Sequence, residues 1–538
     1  MAQTLLALPM EKSEQVGCTQ ITIARVILSG LLSGILLGLS QPLVISALGE
    51  TPIDPTGLTG LLSFVAYVPV IFGMYQCRSV WQAFALGFAA TFIQYLMIIH
   101  WFGIAMTVFG GVPLLLSVMA VLLSASILGS FIGFAFAAAW YVSKKRSLPL
   151  WYVLPASITM VEFLKNYAPF GGFPWGNIGN SLATVPLLLQ AAALVGVYGL
   201  VFYIVFVNVA IVDAISKKKS VVLALSVTLL FVGFGGWRLW TYSPASMPTL
   251  KVALLQGNIE QGIKNHANIY AREILSRYKR LQDAAATQHI DLAIWPEAAL
   301  PTPIITTAKQ LIPLGANVPQ MIAGAVMMEP GTPGVNGGEP IFHNSAVVLG
   351  PQFEVLGRAD KIHLVPFGEY VPWPFQGIVS KVVPNLGAFY PGKTFEPIKM
   401  HIRDGLDVAV GITICYEGVF PEISRGFANH GASLLVNVTN DAWYGISSAP
   451  YQHLAMYQLR AVETGRAFAR ATNTGVSGII DPRGHVHQAT SLYTEASVIA
   501  NVPLSQETTP YMLWGDVIAW LSLAFMAISL FIARFRTE

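Results

Sequence analysis

The sequence predicts a polytopic α-helical membrane bundle with an α/β layered domain inserted before its last span. Three observations predict it. Apolar residues make up 54% of the 538 residues and charged residues only 11%, with mean hydropathy +0.58, whereas soluble domains carry about 25% charged residues. The charges are unevenly placed, sparse before about residue 245 and frequent between 250 and 500. The apolar runs are long before that point and short and alternating after it.

Apolar stretches lie near 22–47, 58–75, 80–105, 111–142, 148–167, 186–214 and 220–240, with one more near 512–533. Each approaches the roughly 20 apolar residues that span a bilayer, giving about eight spans. The fifth is the least apolar, since it holds Pro155, Glu162 and Lys165. The loops support keeping it. Arg78, Lys144-Lys145-Arg146, Lys217-Lys218-Lys219, and Arg534 with Arg536 follow the second, fourth, sixth and eighth stretches. The loop after the first stretch carries Glu50 and Asp54 instead. The positive-inside rule then places both termini in the cytoplasm. Without the fifth span the two lysine-rich loops would fall on opposite faces. The expected organisation is a bundle of about seven spans over 1–245, a water-facing domain over 246–505 on the opposite side, and a last span with a cytoplasmic tail over 506–538.

The first apolar stretch starts after about twenty mixed residues, with no small-residue cleavage site and soluble sequel, so it is no ordinary signal peptide. Three distant cysteines, Cys18, Cys77 and Cys415, imply no disulfide framework. The net charge of +3 and pI of about 8.6 come largely from the cytoplasmic loops. No basic-aromatic stripe points to nucleic acid.

Within the island, strands are predicted at 250–256, 292–295, 321–327, 345–349, 408–415, 434–438, 478–480 and 497–502. Helical stretches are predicted at 267–286, 421–429 and 450–470. Long Pro- and Gly-rich loops are expected at 328–340 and 366–397, and loops of that length are usually functional or mobile. Aromatics crowd 365–375 and 386–390, as well as Phe170–Trp175 between the fifth and sixth spans. The domain's aromatic loop either folds onto its own domain or rests on the membrane surface, where Trp and Tyr prefer to sit, and in the second case it and Phe170–Trp175 would jointly wall a site there.

Three segments carry chemistry. Val408-Ala-Val-Gly-Ile-Thr-Ile-Cys-Tyr-Glu417 is a β-branched run that ends on a thiol. A lone thiol there is either a small core residue or a nucleophile. Asp291-Leu-Ala-Ile-Trp-Pro-Glu297 delivers a carboxylate at a strand end. Asp360-Lys-Ile-His-Leu-Val-Pro-Phe-Gly-Glu369 brackets an apolar stretch with Lys361 and Glu369. Singly, each has an ordinary surface or core explanation.

Together, in the order Glu, Lys, Cys, they resemble the nitrilase, or carbon-nitrogen hydrolase, superfamily. That resemblance implies an α-β-β-α sandwich. It extends over Gln256-Gly-Asn258, Asn344, Asn440-Asp-Ala-Trp-Tyr-Gly445, Gln452-His453, Arg460-Ala-Val-Glu-Thr-Gly-Arg466 and Arg470-Ala-Thr-Asn-Thr-Gly475. Seven spans, this domain and a final span resemble the membrane-bound branch, the apolipoprotein N-acyltransferase family. Gly172-Phe-Pro-Trp175, Trp295-Pro-Glu297 and His363-Leu-Val-Pro-Phe-Gly-Glu369 are similar to that family too. One departure stands out: members carry a tryptophan downstream of the Gln-Gly-Asn motif, where this chain has Asn265-His266.

The resemblance implies acyl transfer through a Cys415 thioester. Glu297 would serve as the base, and Lys361 would stabilise the oxyanion with the Tyr416 backbone N–H. Glu369 would orient Lys361, Glu417 would buffer charge, and Tyr416 would shape an acyl pocket. Asn344 and Trp175 are further supporting candidates. The implied donor is a phospholipid, usually phosphatidylethanolamine, and the acceptor is a diacylglyceryl apolipoprotein. No cofactor or metal is implied, and a monomer is expected in the bacterial inner membrane with its catalytic domain periplasmic. His363 and His453 are expected to be structural. The alternative activity is a membrane-tethered nitrilase-like amidase, for which a single span would suffice.

Overall fold

A computed structural model describes residues 22–43, 58–214, 219–331, 339–373, 376–377, 389–403 and 405–535. Cys18, Glu50, Asp54, Lys217, Lys218 and Arg536 lie outside them, as do 374–375 and 386–388 of the aromatic loops.

Seven apolar helical segments come first among the described residues. They are α1 (Ile23–Leu39), α2 (Leu58–Tyr75), α3 (Val80–Ile98), α4 (Leu114–Arg146), α5 (Leu150–Leu164), α6 (Ala192–Ala214) and α7 (Lys219–Trp240). An eighth, Val517–Arg534, closes the chain. Six of the eight are long and apolar enough to cross a membrane by length and composition, while α1 and α5 are shorter, at 17 and 15 residues. Small residues set the spacing between helices. Gly30, Gly34 and Gly38 repeat every four residues on α1, and Ala89, Ile93 and Met97 of α3 pack directly onto them. Glu162, whose partner the sequence does not reveal, pairs with Lys165 at 3.0 Å at the end of α5.

Beyond α7 the apolar pattern alternates, and two sheets form. The first contains β1 (Thr249–Gln256), β2 (Leu292–Trp295), β3 (Ile304–Ile305), β4 (Gln320–Glu329), β5 (Ile341–Leu349), β6 (Val355–Asp360) and β13 (Ala496–Pro503). Its order is β13-β1-β2-β4-β5-β6, with β3 also paired to β4. The second contains β7 (Ile398–Arg403), β8 (Leu406–Ile414), β9 (Leu434–Thr439), β10 (Ala467–Thr472), β11 (Gly478–Ile480) and β12 (Val486–His487), in the order β12-β11-β10-β9-β8-β7. Period-two alternation divides β1 between two cores. Leu250, Val252 and Leu254 pack in the core shared with Val408, Val410 and Ile412 of β8. Ala253 and Leu255 pack with Ile274 and Tyr278 of a helix, Ala271–Ala286, on the outer face. The helices Pro421–Asn429 and Ala449–Thr464 cover the second sheet, completing an α-β-β-α sandwich.

The helix Ala449–Thr464 is buried on both sides. Met456, Tyr457 and Ala461 join the sandwich core, while Ala455, Leu459 and Val462 join the bundle core beside α5 and α6. The expected helix over 450–470 is corrected here. It stops at Thr464, where Gly465 takes a left-handed turn (φ 61°), and 467–472 is the strand β10. The Ala-Phe-Ala-Arg-Ala-Thr run has helix-like composition, and its pairing with β9 on one side and β11 on the other makes it a strand.

Candidate active site

Three strand ends converge on the site. Glu297 follows β2 and Lys361 follows β6, both in the first sheet, and Cys415 follows β8 in the second, so the two sheets of the sandwich together bring the trio to one site. Gly324 on β4 makes room for the Glu297 turn. A Cβ there would lie 2.3 Å from the Pro296 carbonyl oxygen and 2.5 Å from the Glu297 Cα. All three side chains are buried.

Lys361 is held between two carboxylates. Its Nζ donates to Glu369 Oε1 at 2.9 Å and lies 3.6 Å from Glu297 Oε1. The Asn344 Nδ2 bridges the same two carboxylates, donating at 2.7 Å to Glu297 and 2.6 Å to Glu369. Glu297 Oε2 accepts the Asn440 backbone N–H at 2.9 Å, and Glu369 Oε2 accepts that of Val365 at 2.8 Å. Burial alone would discharge the lysine, but Glu369 and Glu297 outweigh it and hold the ammonium well above its ordinary range. Lys361 is therefore a fixed cation between Glu297 and Glu369.

Cys415 sits at a sharp strand-to-helix turn with φ 52°, a left-handed backbone on a non-glycine residue. Such strain persists only where surrounding contacts enforce it. Here Tyr457 enforces it: its hydroxyl donates to the Cys415 carbonyl oxygen at 2.8 Å and accepts the Gly418 N–H at 3.1 Å. Burial, then the Glu297 carboxylate, push the thiol up, while Lys361 and a hydrogen bond with Thr439 pull it down by less. The resting group is a neutral thiol, so attack requires a base to take its proton.

Glu417 braces the turn. Its carboxylate accepts backbone N–H groups from Ile414 at 2.6 Å, Ile362 at 2.5 Å and His363 at 3.1 Å, tying the Cys415 turn to the segment after Lys361. Burial raises the Glu417 carboxyl to about 7 against the pull of those N–H groups and of Lys361. Below the thiol, Asp441 accepts from Arg470 at 2.7 Å, His453 at 3.1 Å and Thr439 at 3.1 Å. Burial would raise Asp441, but Arg470 and His453 outweigh it and hold the carboxyl below its ordinary value.

The membrane half supplies one wall. Phe173 and Trp175 stack on Tyr416, the residue after Cys415, at 6.3 and 6.5 Å between ring centroids. Trp175 is fully buried and donates to Gln452 Oε1 at 2.7 Å. Trp101, just beyond α3, packs edge-on against Tyr444 at 4.6 Å. Tyr370 reaches back to donate to the Phe170 carbonyl at 3.0 Å, so the 365–370 loop rests on the same wall.

Sequence reasoning assigned no role to Tyr457 or Lys264. Tyr457 lies mid-helix 42 residues from the atom it holds, and nothing local marks it. Lys264, on the short helix Gln261–Asn265, donates to the Glu297 main-chain carbonyl at 2.8 Å. It directly precedes the Asn265-His266 departure, which was the available signal. Asn265 and His266 themselves are exposed.

A layered α/β sandwich is here joined to a membrane bundle, with Glu297, Lys361 and Cys415 brought together at strand ends. The carbon-nitrogen hydrolase family model matches residues 251–509, and that of the apolipoprotein N-acyltransferase N-terminal domain matches 33–210. The apolipoprotein N-acyltransferase of Geobacter metallireducens is 35% identical over 520 residues, covering 93% of this chain and 94% of that protein. That of Shewanella oneidensis is 31% identical over 488 residues, covering 83% and 88%. Among solved structures, a carbon-nitrogen hydrolase from Helicobacter pylori G27 aligns at 17% identity and TM-score 0.35, covering 50% of this chain and 94% of that one. The chain belongs to the apolipoprotein N-acyltransferase family.

Proposed function

We propose that this membrane protein N-acylates the α-amino group of the N-terminal diacylglyceryl-cysteine of apolipoproteins, with a phospholipid such as phosphatidylethanolamine as donor. The observation that carries this reading is the stacking of Phe173 and Trp175 on Tyr416. The membrane bundle itself walls the nucleophile, an arrangement that a merely tethered amidase has no use for. The pattern of basic loops supports a reading in which both termini are cytoplasmic and the catalytic domain, 246–505, lies on the periplasmic face of the inner membrane.

Glu297 takes the Cys415 proton as Sγ attacks the donor ester carbonyl carbon. The oxyanion forms beside the Lys361 ammonium and the Tyr416 N–H. The carbonyl re-forms as the C–O bond to glycerol breaks, and the leaving lysophospholipid oxygen takes the proton from Glu297. This leaves a thioester. The acceptor amine then attacks the thioester carbonyl and loses its proton to Glu297. The new C–N bond forms, the C–S bond breaks, and the thiolate regains the proton. The sequence is ping-pong. Burial of the cluster keeps water away from the thioester and favours the amine.

Incubation with acyl-labelled phospholipid should leave a hydroxylamine-sensitive label on the protein. Cys415→Ala should abolish it, and Glu297→Gln should reduce it to background. A diacylglyceryl-cysteine peptide should discharge the label into the peptide at least about tenfold faster than water does. Discharge at equal rates would make the protein a hydrolase and overturn the reading.

A further inference from the structure

Two lysine ammonium groups reach the reaction centre, and their surroundings differ. Lys361 lies against Glu369 and Glu297. Lys264 has one hydrogen bond, to the neutral Glu297 main-chain carbonyl at 2.8 Å, and no carboxylate in ion-pair contact among the described residues. The side chain is half-buried, and burial lowers its ammonium to about 8 against the pull of nearby Glu297 and Cys415. A partly buried ammonium with no carboxylate in direct contact gains from an anion that arrives to share its site.

The short helix that carries Lys264 is fixed in place. Gln261 Oε1 accepts from Asn440 Nδ2 at 2.8 Å, and Asn440 in turn gives its backbone N–H to Glu297 at 2.9 Å. Asn473 anchors the same segment through the Ile259 N–H at 3.0 Å and its own bond to Asn440 at 2.9 Å. Lys264 therefore stays beside the base whatever the exposed residues after it do.

We propose that Lys264 binds the phosphodiester of the acyl donor. This rests on the reading of a phospholipid donor given above. In such a lipid only the short glycerol backbone separates the scissile ester from the phosphate, so a cation close to Glu297 and Cys415 is placed to reach it. Lys361 is spent on the two carboxylates and the oxyanion, whereas the Lys264 ammonium, bonded to a neutral carbonyl, still has donors to give. The diacylglyceryl acceptor has no phosphate, so Lys264 acts in the first half-reaction and selects the donor class.

The test compares thioester formation from phosphatidylethanolamine with that from diacylglycerol of the same acyl chains, both in detergent micelles. Wild-type protein should prefer the phospholipid. Lys264→Met should cut kcat/KM for the phospholipid by about 10- to 100-fold, the range for a hydrogen bond to a charged group. It should lower the rate from diacylglycerol far less, collapsing the preference. Lys264→Arg, which keeps the charge, should retain most of it. Equal losses on both donors would make Lys264 a support for Glu297 and overturn the assignment. So would an unchanged preference in Lys264→Met. A wild-type protein that forms no acyl-enzyme from either lipid would overturn the donor reading, and this assignment with it.

Discussion

At the residue scale, Glu297 and Cys415 stood out because each ends a predicted strand with a charge or a thiol, whereas Lys361 stood out only because it and Glu369 bracket an apolar stretch; β6, the strand it follows, was not predicted. Lys361 tests how far its two carboxylates define it. Lys361→Met should slow thioester formation by about 10²- to 10³-fold, the usual loss for one oxyanion donor. It also leaves Glu297 and Glu369 facing each other across Asn344 with no cation between them. Single-turnover labelling measures the loss, and a rate within threefold of wild type would remove Lys361 from the oxyanion site. His363 and Glu417 give opposite pH signatures. Burial lowers His363 to about 4, against about 6.5 unfolded. Between those values the unfolded chain binds more protons, so this contribution to stability is complete above pH 6.5 and lost as pH falls toward 4. Glu417 is raised to about 7, against about 4.3 unfolded. There the folded chain binds more protons, so stability from this group is present below about pH 4.3 and lost as pH rises to 7. Thermal midpoints from pH 4 to 7 should therefore fall less toward acid in His363→Asn than in wild type, and fall more in Glu417→Gln. Parallel curves for all three proteins would refute both assignments.

At the element scale, strands with β-branched runs announced themselves and others did not. β8 and β9 read as strands from Val, Ile and Leu content alone. β6 (Val-Leu-Gly-Arg-Ala-Asp) and β7 (Ile-Lys-Met-His-Ile-Arg) mix charge with apolar residues because they are edge strands, each with a partly exposed face. β10 was lost to its alanines. Gly324 matters because the Glu297 turn crosses it at close range. Gly324→Ala places a Cβ 2.3 Å from the Pro296 oxygen, so either the turn or β4 must move. Overpacking of this kind costs about 1–3 kcal/mol. The displaced carboxylate should also slow thioester formation at least about tenfold, since small misplacements of a reacting group are expensive. Ala325→Gly, one residue along on the same strand, is the comparison. Equal activity losses in the two variants would show that strand stability, not the position of Glu297, is being read.

At the scale of the whole molecule, the sequence separated a membrane half from a layered half, and the fold joins them more closely than that division implies. One hydrophobic core holds Tyr95, Ile98, Trp101 and Trp175 of the bundle together with Ile412, Cys415, Tyr416 and Tyr457 of the sandwich. A second holds Ala455, Leu459 and Val462 of the sandwich among bundle residues. No pattern in the chain marks such sharing, because a buried face reads the same whichever half covers it. Trp175 sits at the junction, stacked on Tyr416 and bonded to Gln452. Trp175→Ala should cost about 3–5 kcal/mol through the cavity it opens, and it leaves the Gln452 amide without this donor. If the cores act as one unit, both halves lose that stability together. In a Cys18→Ser, Cys77→Ser background, Cys415 is the one thiol left, and maleimide labelling during heating reports opening of the sandwich. Far-ultraviolet circular dichroism at 222 nm reports the helices, most of which belong to the bundle. The variant should shift both midpoints down in step, by at least about 5 °C. A shift in thiol exposure with the helical midpoint unmoved would mean that the halves unfold independently and that the bundle walls Cys415 without stabilising the domain that carries it.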